Sequence, residues 1–103
     1  MHLTIREEER IQIWAMASMA RQRYERGILL NCPEAIALIC DEVLERAREG
    51  QINMVTELIE YGRHIVKRED VMEGVPELIP MVQVESVMRD GTKLVSIENP
   101  IRD

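Results

Sequence analysis

The side chains able to do chemistry are few, and their spacing separates them. His2 and His64 stand far apart in the chain. His64 follows Gly62, a position where an imidazole usually meets a helix C-terminus or solvent rather than a substrate. Cys32 and Cys40 are the only cysteines. On one helix their Cα atoms would lie about 12 Å apart, too far for a disulfide, and they lack the close pairing of a zinc site. Small-residue packing is the better reading of both. The carboxylate runs Glu7-Glu8-Glu9 and Asp41-Glu42 fall at a helix start and on a polar face, where dipole and solvation effects account for them without general-acid work. They are expected at the surface. Arg21, Arg23, Arg26, Arg46 and Arg48 are interleaved with acids, and few aromatics accompany them for base stacking. The chain contains no P-loop, dinucleotide fingerprint or nucleophile elbow.

The elements that would position these groups can be read from capping and periodicity. Thr4-Ile5-Arg6-Glu7 is a capping box opening a helix over about 5–26, with Ile13, Met16 or Ala17, Ala20 and Tyr24 at helical spacing and Gly27 closing it. Asn31, with Pro33 just inside and Glu34 three residues on, opens a second helix. Ile36, Ile39, Cys40, Val43, Leu44 and Ala47 are its apolar face, and Gly50 stops it. Asn53 is expected to cap a third, shorter helix that ends at Gly62 in a left-handed conformation. A turn or two of helix over 68–73, ending at Val71-Met72, precedes Gly74 and two prolines that fix the backbone before a strand.

From Met81 the period changes to two, and Asp90-Gly91 between two alternating runs predicts a type I′ hairpin. A loop of those two residues sets Arg89 opposite Thr92, Met88 opposite Lys93, Val87 opposite Leu94, Ser86 opposite Val95 and Val84 opposite Ile97. One face then carries Val82, Val84, Met88, Val95 and Ile97 and belongs on the helices. The other is polar except for Val87 and Leu94, which have no evident internal partner. Isolated surface aliphatics are common, but a two-stranded ribbon needs cover from the helices or from another chain. The predicted class is α+β, a helical bundle of three main helices plus a short fourth followed by a C-terminal hairpin, with no linker or repeat dividing residues 1–103.

Composition narrows the function classes. A net charge of −6 argues against nucleic acid and anionic membrane surfaces. With 103 residues, no Phe, one Trp and seven Met, the core is thin, aliphatic and adaptable, a filling that also suits partner surfaces. The segment Met1 to Glu9 lacks the order of a signal peptide, and no apolar run approaches the roughly 20 residues needed to span a bilayer. A cytoplasmic location is expected. Composition and spacing together describe an interaction or structural module.

The segment Val71-Met72-Glu73-Gly74-Val75-Pro76-Glu77-Leu78-Ile79-Pro80, then Val82-Gln83-Val84-Glu85, Asp90-Gly91-Thr92-Lys93-Leu94-Val95-Ser96 and Asn99-Pro100-Ile101 closely resembles the gamma, or smallest, subunit of bacterial urease. Arg26-Gly27, Leu30-Asn31, Pro33-Glu34-Ala35-Ile36-Ala37 and Gly62-Arg63-His64 agree with the same family, in matching order. The resemblance implies a subunit of a nickel enzyme that hydrolyses urea to ammonia and carbon dioxide. In that family gamma, beta and alpha chains form a trimer of heterotrimers. The alpha chain is catalytic and holds two nickel ions bridged by a carbamylated lysine and a hydroxide. None of those ligand motifs occurs here, so no catalytic, cofactor-binding or metal residue is carried over, and no cofactor is expected on this chain.

The expected partner-facing residues are Met72, Glu73, Gly74, Val75 and Pro76 in the bend, Val87 and Leu94 in the hairpin, and Pro100 and Ile101 in the tail. A stand-alone adaptor that keeps the fold without joining an active urease is the alternative. Ile5, Cys32, Lys67 and Met88-Arg89 depart from the family's usual proline, aromatic or histidine, threonine and phenylalanine-proline. Such changes point to a divergent copy. Arg89 in particular removes a fixed φ and adds a charge beside the turn.

Overall fold

The first helix forms because its opening turn is satisfied from both sides. Thr4 Oγ1 accepts the Glu7 N–H at 3.2 Å, and Glu7 Oε1 accepts the Thr4 N–H at 2.8 Å. This helix, α1, runs Ile5–Glu25 and turns Ala17 and Ala20 inward. Tyr24, expected on that face, is exposed near its end. A second capping box, between Asn31 and Glu34, opens α2 at Cys32–Arg48. The computed structural model describes residues 2–102.

The third helix, α3, is Val55–Gly62, and it corrects two expectations. Its N-cap is Met54 without a side-chain bond, so Asn53 is not the cap. Gly62 lies inside the last turn and does not take the left-handed conformation. Its role is close approach: a Cβ there would sit 2.3 Å from Ile97 Cδ1 and 3.2 Å from Val43 Cγ2. The missing side chain lets the helix lie directly on the hairpin.

Residues 68–73 do not form one helical segment. Arg68–Asp70 is a single 3₁₀ turn, and Val71 is extended, pairing in parallel with Leu30. Leu30 donates its N–H to Asp70 O and accepts that of Met72, each at 2.9 Å, so competing backbone partners stop the helix. The short fourth helix, α4, comes afterwards at Val75–Leu78. Gly74 does take positive φ, but before this helix rather than after one. Pro76 lies in its first turn, which suits a residue lacking an N–H.

Strands β1 (Met81–Met88) and β2 (Gly91–Glu98) form the antiparallel hairpin. Its register differs from the expected one. Met88 pairs with Gly91, Val87 with Thr92, Ser86 with Lys93, Glu85 with Leu94, Val84 with Val95 and Val82 with Ile97, leaving Arg89-Asp90 as the loop. A type I′ turn over Asp90-Gly91 needs positive φ at both residues. Asp90 does not take it, whereas Gly91 does, at 122°. Gly91 is therefore the first residue of β2, paired one-to-one with Met88, and not a turn residue. Each partner moves by two residues, which preserves the faces, since side chains alternate with period two.

The inner face is the predicted one, with Val82, Val84, Met88, Val95 and Ile97 all buried. It packs on α2 and α3, and α1 lies against α2. Helix α2 is therefore the central element, touching α1, α3 and β1. The chain end is tied in by Arg68 N–H to Arg102 O and Asn99 N–H to Pro80 O, at 3.1 and 2.8 Å.

Candidate partner interface

The polar groups that sequence placed on the surface do not all lie there. Asp41 is buried between α1 and α2, accepting from Arg10 Nη1 at 2.7 Å and from Arg21. A carboxylate enters this apolar helix face because two guanidinium groups from α1 reach it. Arg21 also donates to Glu42 at 2.7 Å, and Tyr61 O–H donates to the other Glu42 oxygen at 3.1 Å. Burial, together with the Glu42 charge, raises the Tyr61 pKa, while Arg46 lies over its ring at 5.0 Å.

Glu34 is buried as well, held by Arg23 and by the Asn31 N–H at 2.8 Å. Burial opposes its ionisation, but the Arg23 and Asn31 bonds prevail and hold its pKa below the ordinary value. These contacts fix α1 on α2. The missed signal was spacing: Arg10 and Arg21 lie three turns apart, on the side of α1 that carries Ala17 and Ala20.

The remaining reactive groups are dispersed. Cys32 and Cys40 are free thiols, and burial drives the Cys40 pKa to about 11, which leaves it protonated. His64 is exposed, with Nε2 2.9 Å from Glu60 Oε1, as suits a residue past a helix end. Among the described residues no three His, Cys, Asp or Glu side chains converge to hold a metal ion.

Open apolar faces are the more prominent feature. Val87 and Leu94 are 63% and 57% exposed on the outer face of the hairpin, accompanied by Met81. They are diagonal neighbours rather than a directly opposed pair, because Leu94 faces Glu85 and Val87 faces Thr92. An open groove of about 740 Å³ runs from Val87 to the start of α1, where Leu3 and Ile11 line it. Arg6 and Glu85 meet across it at 3.5 Å. Arg89 lies close to the end of α2, its Nε 3.9 Å from where a Gly50 Cβ would stand, so its cation meets the negative end of that helix.

The other expected contact residues divide. Met72, Glu73 and Gly74 are exposed, and Pro76 is half-buried. Val75, Pro100 and Ile101 are buried in the chain's own core, so their side chains cannot present a free surface. Sequence reading also missed exposed Ile11, Trp14 and Met19 on α1. They fall out of phase with Ile13, Ala17 and Ala20, and that second phase was the available signal.

The chain is a small α+β protein with open apolar faces and dispersed reactive groups. The family is specific: the model described as "Urease, gamma subunit" matches residues 1–101, and the chain belongs to that family. Membership implies a urease gamma-subunit role, association with other urease subunits and a place in a hydrolase complex. Among the described residues no helix is long and apolar enough to cross a membrane.

Proposed function

We propose that this chain is the non-catalytic gamma subunit of a nickel-dependent urease, assembling with beta and catalytic alpha chains in the cytoplasm as a trimer of heterotrimers. The complex hydrolyses urea to ammonia and carbon dioxide. This chain binds no cofactor, and the nickel belongs to the alpha chain. Its contribution is to cover surface on its partners: a subunit that binds only their folded state shifts the equilibrium toward that state.

The observation that carries the reading is the outer face of the hairpin, where Val87 and Leu94 stand open on strands whose other face is buried. Burying such a side chain against a partner is worth about 1.5–3 kcal/mol. Exposed Met72 in the bend supplies a further adaptable apolar contact.

Co-expression with the neighbouring large-subunit chains tests the proposal. The expected result is a stoichiometric complex with nickel-dependent ammonia release. A chain that never associates with them contradicts it and supports the stand-alone adaptor.

A further inference from the structure

Both strands of the hairpin are edges of the sheet, but they differ in what guards them. Asn99 donates its N–H to Pro80 O, and the one-to-one register carries that alternation to the turn. The inner-face residues of β1 therefore bond across to β2, while the N–H and C=O groups of Gln83, Glu85 and Val87 point outward. None of these outward groups bonds to another described residue. The edge of β2 carries Lys93 on its inner face, a charge that an added strand would bury. Over its eight residues β1 has no proline, no bulge and no inward charge.

The groove of about 740 Å³ opens along this unguarded edge. Val84 from the inner face and Glu85 and Val87 from the outer face all line it, which places it beside the strand rather than on either face. Its other wall is the start of α1, with Leu3, Ile11 and Ile13. Among the described residues the one ion pair across it joins Arg6 to Glu85, both well exposed, and such a pair yields at little cost. From Gln83 to Val87 the edge runs about 13 Å, room for about five residues of extended chain. Because α1 closes the far side, the occupant is a single strand rather than the flank of a folded layer. Glu7, Glu9 and Glu85 outnumber Arg6 and Arg10 along the groove, which disfavours a carboxylate on the strand that enters.

We propose that the edge of β1 receives an extended, alternately apolar segment of one of the large urease chains, which adds to the hairpin as a third strand. Its backbone pairs with Gln83, Glu85 and Val87, and its apolar side chains enter the groove against Leu3, Ile11 and Ile13. The inference rests on the gamma-subunit reading and specifies how that docking is made.

Hydrogen exchange on the full chain, alone and in complex with the large chains, tests it. Alone, the amides of Gln83, Glu85 and Val87 exchange fast beside slow Val82, Val84 and Ser86. In the complex the first three slow by about a hundredfold or more, while Thr92, Leu94 and Ser96 on the β2 edge stay fast. Glu85→Pro removes an outward N–H without touching the ladder to β2. It weakens association at least about tenfold relative to Glu85→Ala, which keeps the N–H and loses only the Arg6 pair. Equal slowing on both edges, the result of covering the outer face alone, overturns the proposal. So do fast β1 amides in a formed complex, full association of the Glu85→Pro chain, or protection already present in an isolated dimer, where a second copy is the occupant. Those outcomes leave the gamma-subunit reading standing, whereas a chain that never associates with the large chains overturns that reading and this inference with it.

Discussion

On the inner face of the hairpin Val82, Val84, Val95 and Ile97 are buried against α2 and α3, whereas on its outer face Val87 and Leu94 stand in the open. The strands are the same eight residues each, and the side chains are of the same kind. Hydrophobicity alone therefore does not decide what is core. The helices cover one face of the ribbon and leave the other open. A substitution on the inner face is expected in folding; on the proposed docking face the same substitution is expected in assembly.

The largest expected effect breaks the inner face. Val95 is fully buried, so Val95→Asp places an unpaired carboxylate in the core and costs more than about 4 kcal/mol, a large part of a small domain's stability. Loss of the cooperative thermal transition checks this. Next comes the buried carboxylate between α1 and α2. Asp41→Ala removes the acceptor of Arg10 and Arg21 and costs about 2–3 kcal/mol, read from a denaturant midpoint.

The approach of α3 to the inner face is a smaller test. Gly62→Ala costs about 1 kcal/mol, since crowding of about 1–3 kcal/mol against Ile97 and Val43 exceeds the helical gain of alanine, about 1 kcal/mol. Ile97→Val removes the Cδ1 atom that the new methyl group would strike, so the double variant loses less stability than the two single losses added together. A double-mutant cycle measures that difference.

The smallest effect is the pH dependence at Glu34. Its folded-state pKa lies below the ordinary value of 4.5, so its contribution is full above that value and disappears as pH falls through the lowered pKa. The Tm gap between wild type and Glu34→Gln is therefore constant near neutrality and closes in that acidic window.

Much of this comparison was legible in the sequence. Capping chemistry is local, so Thr4 with Glu7 and Asn31 with Glu34 marked two helix starts. Period two marked both hairpin faces, and the faces survived a wrong register because the error was an even number of residues. What was not legible depends on contacts between distant segments. The pairing of Val71 with Leu30 stopped the expected helix, and Ile97 explains Gly62. Two arginines from α1 made Asp41 a core residue, and burial of Val75, Pro100 and Ile101 removed them from the candidate surface. Val87 and Leu94 were identified because alternation alone sets them opposite the core.

The most direct test of the account is the double variant Val87→Asp/Leu94→Asp, measured first as the isolated chain and then by size-exclusion chromatography with the large urease chains. The isolated variant should keep its fold, with stability within about 1 kcal/mol per site of wild type, while its yield in the complex falls at least about tenfold, the equivalent of about 1.4 kcal/mol. Unchanged co-elution with those chains would contradict the assignment of the outer face as the docking surface.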